Sequence, residues 1–211
     1  MARKKHDPIQ EQLAQARRAQ ILDAATQVFA EKGFHRATIR DVAKAAGIAD
    51  GTIYNYFENK TALLLGLLNR INETELRGQH FEQVGRGDVR AFVRSYIRQR
   101  FKVFAQTGFE VFQVLLSEIL VDSELRELYY QQVIAPTFDL AERYFQQWAD
   151  AGVIRLRDTR LSLRAIAGMT LGLIMLRIMG DAELEMRWDA VPDLVADIML
   201  QAIEITEGDR S

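Results

Sequence analysis

The sequence contains no cysteine, and it has only three histidines and three prolines among its 211 residues. The absence of cysteine excludes disulfides, thiolate metal sites and cysteine nucleophiles. The histidines, His6, His35 and His80, lie far apart in the chain, so no metal site and no cofactor are predicted. No nucleophile, base and orienting group form a recognisable set either, so we do not expect an enzyme.

The net charge of −2 conceals a difference between the two parts of the chain. Residues 1–60 carry 10 of the 27 Lys and Arg residues and 7 of the 29 Asp and Glu residues, a balance of +3. The remaining residues, 61–211, therefore carry a balance of −5. A basic N-terminal part followed by an acidic remainder fits a small DNA-binding module carried by a larger domain.

The apolar segments predict neither export nor membrane insertion. The basic residues 3–5 are not followed by the apolar stretch of a signal peptide. The most apolar stretch, 161–180, contains Arg164 and Arg177, and the 12 residues between them are fewer than the ~20 that a spanning helix needs. We therefore expect a cytoplasmic protein without membrane contact, in which this stretch forms a buried helix.

Apolar residues recur at helical spacing through nearly the whole chain, which predicts an all-α fold. The first helix ends at Gly33, and a short second helix is opened by Thr38, with Asp41 at capping-box spacing. Gly47 gives the tight turn to a short third helix, about 50–57, so the three helices form a helix-turn-helix candidate. The third helix leaves polar side chains free to face outward: Thr52, Tyr54, Asn55 and Tyr56.

Longer helices are predicted in the remainder of the chain: about 109–121, 122–148 with a kink at Pro136, 159–179 and 190–205. An acidic loop, 181–189, joins the last two. The helix 159–179 is apolar on more than one face and carries a stripe of small residues, Ala165, Gly168 and Gly172. We expect this stripe to contact a second copy of the chain, together with a ridge on the last helix: Val191, Leu194, Val195 and Ile198. The alternative is that the chain's own side chains pack on the glycines.

The stretch from Ala43 to Lys60, with Gly-Thr-Ile-Tyr-Asn-Tyr-Phe at 51–57, closely resembles the DNA-binding signature of TetR-type transcriptional regulators. The resemblance covers roughly residues 17–68. It implies a homodimeric repressor that binds double-stranded operator DNA and is released by a small-molecule effector. The implied organisation has three parts: a basic N-terminal arm (1–16), a helix-turn-helix domain (17–62) and a larger helical effector-binding and dimerisation domain (63–211).

The resemblance also implies which residues contact DNA: Thr38 and Arg40 on the second helix, Asp50, Gly51, Thr52, Tyr54, Asn55 and Tyr56 on the recognition helix, and Lys60 at the start of the fourth. Ala49 is a departure, since the family often has Ser or Thr at this N-cap position. Asp50 then either supports the helix N-terminus or reads a base. The two tyrosines either contact phosphates or pack partly against the chain, and the basic arm either neutralises phosphates or is a solvated tail.

In this family, the C-terminal helices surround an effector cavity. The candidate lining residues are Phe101, Phe104, Phe112, Leu116, Tyr144, Trp148, Met169 and Leu173, and core packing is the alternative for each. Residues 49–54 are similar to regulators of fatty-acid metabolism within the family, which implies an acyl-CoA or a similar amphiphile as effector. Two other classes stay open: a helical carrier or enzyme with a hydrophobic cavity, and a DNA-binding protein without an effector.

Overall fold

The computed structural model describes residues 8–72, 88–155 and 158–205, which are almost entirely helical. The helices are α1 (Pro8–Lys32), α2 (Ile39–Ala45), α3 (Asp50–Ile53), α4 (Lys60–Ile71), α5 (Val89–Thr107), α6 (Phe109–Val121), α7 (Ser123–Tyr129), α8 (Ala135–Asp150), α9 (Thr159–Ile178), α10 (Ala182–Met186) and α11 (Val191–Ala202). Two-residue strands, β1 (Ile154–Arg155) and β2 (Glu204–Ile205), pair antiparallel. The predicted all-α fold is confirmed, with this small pairing as an addition.

The described residues pack as two compact units. One unit contains residues 8–68 together with 110–126, and the other contains the remaining described residues from Asn69 onwards. The boundary falls inside α4. Residues 1–7 of the predicted arm (1–16) lie outside the described residues. Residues 8–16 are helical, because α1 begins at Pro8.

The core of the first unit is formed by the apolar faces of α1 to α4. Phe29 and Phe57 are among its fully buried side chains. Gly66 allows α4 to come close to Phe57 and to Leu22 of α1, since a Cβ there would lie 2.8 Å from a ring carbon of Phe57 and 3.0 Å from a methyl of Leu22. The DNA-binding candidate residues are therefore carried on a tightly packed frame.

In the second unit, α11 packs along α5. Asp88 caps α5 by accepting a hydrogen bond from the backbone of Arg90. The buried cluster combines residues of α5, α8, α9 and α11, among them Phe92, Phe145 and Val195.

The long helix predicted over 122–148 is interrupted before Pro136. A π-helical segment, Tyr130–Ile134, separates α7 from α8. Proline has no backbone N–H for the carbonyl of the preceding turn, and its ring collides with that turn. One wider turn relieves both problems, so the interruption is a π segment where the sequence predicted a simple kink.

The prediction that the apolar stretch 161–180 forms a buried helix is wrong. The helix α9 is long and apolar enough to cross a membrane, by length and composition only. Only 11% of its most apolar 18 residues are buried within the described chain, so α9 is not a buried core helix. Leu163 and Ile174 are buried, whereas Leu161 and Met179 are 65% and 75% exposed. The predicted acidic loop 181–189 also contains α10 and the start of a 3₁₀ turn, because Asp181 caps a further helix.

Candidate nucleic-acid interface

The predicted capping box at the start of α2 is confirmed. The Thr38 hydroxyl accepts a hydrogen bond from the Asp41 backbone N–H (3.1 Å), and the Asp41 carboxylate accepts one from the Thr38 backbone N–H (2.9 Å). Lys32 donates a further hydrogen bond to this carboxylate at 2.6 Å. Lys32 and then Thr38 lower the pKa of Asp41 to about 2, so the cap stays ionised at neutral pH. These contacts fix the end of α2 that carries Thr38 and Arg40.

The turn between α2 and α3 is a Schellman motif centred on Gly47. Gly47 has φ +65°, a left-handed conformation that favours glycine. The Ile48 N–H donates to the Ala43 carbonyl (3.0 Å), and the Gly47 N–H donates to the Lys44 carbonyl (3.2 Å). The Gln20 side chain donates to the Ala46 carbonyl at 2.7 Å. The turn is thus held both by its own backbone and by α1.

The recognition helix α3 is shorter than predicted, since it ends at Ile53 and the chain continues as a turn to Tyr56. Ala49 makes no side-chain cap bond, and Ile53 is completely buried. Thr52 and Tyr56 are half-buried, whereas Tyr54 is 57% exposed and Asn55 is also exposed. The four polar side chains predicted to face outward are therefore at least partly accessible to a partner, and Tyr54 and Asn55 are the more exposed of them.

Arg40 and Asp50 form an ion pair between α2 and α3. The Arg40 Nε lies 3.2 Å from an Asp50 carboxylate oxygen, and the two side chains are 86% and 56% exposed. Such an exposed pair adds little to stability. It does hold the guanidinium of Arg40 beside the recognition helix, on a surface open to a partner.

Gly51 on α3 has no packing reason within the described chain. A Cβ at this position would meet no atom within 4 Å, and the backbone does not have a positive φ. Glycine in a helix costs roughly 0.5–1 kcal/mol relative to alanine. Its presence on an exposed recognition helix is consistent with a partner whose backbone approaches closely.

Lys60, predicted to bind the DNA backbone, points into the protein instead. Its Nζ donates hydrogen bonds to the carbonyls of Phe34 (2.7 Å), Ala37 (3.1 Å) and His35 (3.3 Å). It also lies 4.4 Å from the centre of the Phe34 ring. All three donors of the ammonium are used, so Lys60 fixes the loop before α2 and is not available to a phosphate.

We expect Lys60→Met to act on stability and to leave the number of phosphate contacts unchanged. Loss of the charged hydrogen bonds should reduce the free energy of unfolding by about 2 kcal/mol, measured by chemical denaturation. Lys44→Met is the matched control, because Lys44 is exposed on α2. The prediction is contradicted if Lys60→Met flattens the salt dependence of DNA binding by about one phosphate while unfolding stays unchanged.

Two side chains of this unit, Arg18 and His35, make contacts that were not predicted from the sequence. Arg18 donates to the Tyr56 carbonyl at 3.3 Å and lies 4.4 Å from the centre of the Phe57 ring. His35, in the loop that Lys60 binds, lies 3.3 Å from the carboxylate of Glu118 on α6, and Glu118 is only 7% exposed. Each pair is separated by tens of residues in sequence, so no local pattern signals it.

The predicted effector-cavity residues divide between the two compact units. Phe101 and Trp148 are buried in the core of the second unit, and Tyr144, Met169 and Leu173 are partly buried against the same cluster. Phe104 is half-buried on α5, with its ring centre 5.6 Å from the guanidinium of Arg100. Phe112 and Leu116 belong to the other unit.

The predicted dimer residues also divide into two sets. Val191 and Val195 are 5% and 0% exposed, because they face α5 in the core of this chain, so they are not available to a second copy. The residues that stay accessible are Ala165, Gly168, Gly172, Leu194 and Ile198. Leu194 and Ile198 are 56% and 42% exposed. A Cβ on Gly168 or Gly172 would meet no atom of the described chain within 4 Å, so no side chain of the described chain packs on these glycines.

Two family models match this chain and together cover most of it. Residues 21–67 match the model of bacterial regulatory proteins of the tetR family. Residues 89–202, more than half of the chain, match the C-terminal domain of AefR-like transcriptional repressors.

The chain is also similar to known regulators of fatty-acid metabolism. It is 46% identical over 65 residues to the fatty acid metabolism regulator protein of Bacillus subtilis, an alignment that covers 31% of each chain. It thus spans about a third of the length of this curated relative. The fatty acid degradation regulator FadR of Bacillus halodurans shares 29% identity and covers 98% of this chain and 99% of its own, with a TM-score of 0.71. FadR of Bacillus subtilis in complex with stearoyl-CoA shares 25% identity over 88% of this chain and 99% of its own, with a TM-score of 0.70.

Proposed function

Because the chain belongs to the tetR family of bacterial regulatory proteins, we propose that it is a homodimeric repressor released from operator DNA by a long-chain acyl-CoA or a similar amphiphile. The observation that carries the proposal is the helix-turn-helix frame with polar side chains exposed on α3 and on the turn that follows it. We assign the helix-turn-helix domain to 17–62 and the effector-binding and dimerisation domain to 63–211.

DNA binding is assigned to the outward face of α2, α3 and the turn 54–56 that follows α3. The proposed contacts are Thr38, Arg40, Asp50, Gly51, Thr52, Tyr54, Asn55 and Tyr56. Arg40 suits bidentate recognition of guanine in the major groove, and hydroxyl and amide side chains suit phosphates and base edges. Asp50 acts here through its ion pair with Arg40, which holds the guanidinium in place. Lys60 is left out because its ammonium is bound within the protein.

The effector site is assigned to the second unit, beside its hydrophobic cluster. Tyr144, Met169 and Leu173 are partly buried there and give the mixture of aromatic, flexible and aliphatic surface that an acyl chain requires. The choice of an acyl-CoA rests on the likeness to the two FadR proteins, one of which is described in complex with stearoyl-CoA.

Dimerisation is assigned to α9 and α11. Exposed apolar residues extend the face of the small residues at helical spacing. Leu161 lies one turn before Ala165, and Leu176 and Met179 lie one and two turns after Gly172. Two glycines in one helix lose about 1 kcal/mol each relative to alanine, a cost that close approach of a partner helix explains. The same face on two copies makes a self-complementary four-helix bundle.

The effector is proposed to act by changing the spacing of the two recognition helices. A dimer reaches successive major grooves when these helices are about 34 Å apart. The helix α4 leads directly out of the DNA-binding unit, so a displacement of its far end changes the position of α3.

We expect the binding of stearoyl-CoA and of operator DNA to be reciprocally coupled. A saturating operator should weaken stearoyl-CoA binding by the same factor by which stearoyl-CoA weakens operator binding, typically 5- to 150-fold. Titration calorimetry with and without operator measures this factor, and free CoA serves as the control without an acyl chain. Equal stearoyl-CoA affinity in both states would contradict effector control while leaving DNA binding intact.

A further inference from the structure

The last turn of α4 is held by a buried arginine of α5. The guanidinium of Arg100 donates a hydrogen bond to the carbonyl of Ile71, the final residue of α4. Arg100 is 8% exposed and lies in the middle of α5. In the described part of the chain, Arg100 and Glu118 are the only buried charged residues.

A second side-chain bond holds the residue that follows α4. The amide of Asn72 donates to the hydroxyl of Tyr129 at 3.0 Å. Tyr129 is the last residue of α7, and the π segment Tyr130–Ile134 starts directly after it. All four partners, Ile71, Asn72, Arg100 and Tyr129, lie in the same compact unit. We call these two hydrogen bonds the α4 clamp.

A purely structural role does not explain why an arginine is buried at position 100. Burying a guanidinium carries a desolvation penalty, and well-packed apolar residues in place of buried ionic groups are often neutral or stabilising. Arg100 offsets part of the penalty because the carbonyl end of α4 carries the negative end of the helix dipole. An arginine supplies a directional bond, which an apolar side chain at this position would not.

The opposite end of α4 is also bound by hydrogen bonds. Lys60, the first residue of α4, binds the carbonyls of the loop that leads into α2. The helix between these two anchors has 12 residues, or about 18 Å of rigid length. A displacement of the clamped end is therefore carried along α4 to the loop that precedes Thr38 and Arg40.

We propose that Arg100 and Tyr129 are positioning residues that set the orientation of α4 and transmit the effector-bound state to the DNA-binding unit. The proposal rests on the proposed function, since it requires an effector site in the second unit. The π segment next to Tyr129 supplies the deformable element, because its wider turn can rearrange without breaking the helix. An effector that moves α5 or α7 would shift a donor or an acceptor of the clamp.

The first test measures coupling between stearoyl-CoA and operator DNA in full-length variants. Arg100→Met and Tyr129→Phe should reduce the coupling factor at least threefold, while stearoyl-CoA affinity for the free protein stays within twofold of wild type. Arg100→Lys, which retains a cationic donor, should restore part of the coupling. The matched controls are Arg98→Met and Tyr130→Phe, since both side chains are exposed neighbours of the clamp residues. Unchanged coupling in the clamp variants, or an equal loss in the controls, would overturn the proposal.

The second test needs no effector. Because the chain has no cysteine, spin labels can be placed only where cysteine is introduced, at the exposed residues Glu58 and Gln147. A small fraction of doubly labelled chain, diluted in unlabelled chain carrying the same clamp or control substitution, reports one intramolecular distance by pulsed electron resonance. Arg100→Met should at least double the width of the distance distribution, whereas Arg98→Met should leave it unchanged. A wild-type width in Arg100→Met would overturn the proposal, whether or not stearoyl-CoA binds. A doubled width in a protein that does not bind stearoyl-CoA would retain the positioning role of Arg100, and only the effector assignment would fail.

Discussion

The double variant Gly172→Leu, Leu194→Glu should be a folded monomer with little operator affinity. The leucine replaces a glycine whose Cβ would meet no packing neighbour in the described chain within 4 Å, and the glutamate places a charge at a position whose leucine is 56% exposed on α11. Neither change disturbs the core of the single chain, but each occurs twice in a two-fold interface. Since linked binding of the two helix-turn-helix domains of a dimer raises avidity by roughly 10²–10⁴, operator affinity of the monomer should fall at least 100-fold.

Sedimentation velocity gives the oligomeric state of this variant, and circular dichroism verifies that it stays helical. The control is Leu120→Glu, which introduces a charge at a leucine that is 64% exposed on α6, outside the proposed interface. It should remain dimeric and bind operator like wild type. An intact dimer for the double variant would refute the assignment of α9 and α11, and Gly172→Ala would show whether the stripe contributes at all.

Arg40→Ala should remove the preference for one base pair of the operator. The guanidinium of Arg40 is 86% exposed and is held beside α3 by Asp50. Loss of a bidentate contact to guanine should weaken binding to the operator with the correct base by about 1–3 kcal/mol. Binding to an operator with an incorrect base at that position should not change. Operators with single base-pair substitutions, compared by competition binding, should therefore become equivalent at one position.

Lys44→Ala is the matched variant for this experiment. Lys44 is exposed on the same helix, four residues further along, and is not among the proposed DNA contacts, so Lys44→Ala should keep the base preference of the wild type at every position. If Arg40→Ala keeps the full base preference of the wild type, α2 does not take part in base recognition.

Local patterns in the sequence were sufficient for the DNA-binding frame. The capping box of Thr38 with Asp41 and the glycine turn at Gly47 depend on residues within five positions of each other, so spacing alone predicts them. The family signature then assigned side chains that are exposed on the turn after α3, such as Tyr54 and Asn55.

Side chains whose partners are distant in sequence could not be predicted in this way. The role of Lys60 depends on carbonyls 23 to 26 residues earlier, and the pairing of His35 with Glu118 and of Arg100 with Ile71 depends on packing between helices. Apolar periodicity on α11 likewise did not distinguish Val195, which faces the core of its own chain, from Leu194. Periodicity identifies an apolar face but not what covers it.

The most direct test of the central claim is the binding of the purified protein to DNA from its own promoter region. The account predicts protection of two segments on one face of the duplex, about 34 Å or one turn apart, with affinity that falls linearly with salt on logarithmic axes. Tyr54→Ala should weaken both protected segments together, since each protomer presents the same α3. Binding no stronger than to unrelated DNA of the same length, or protection that Tyr54→Ala leaves unchanged, would contradict the account.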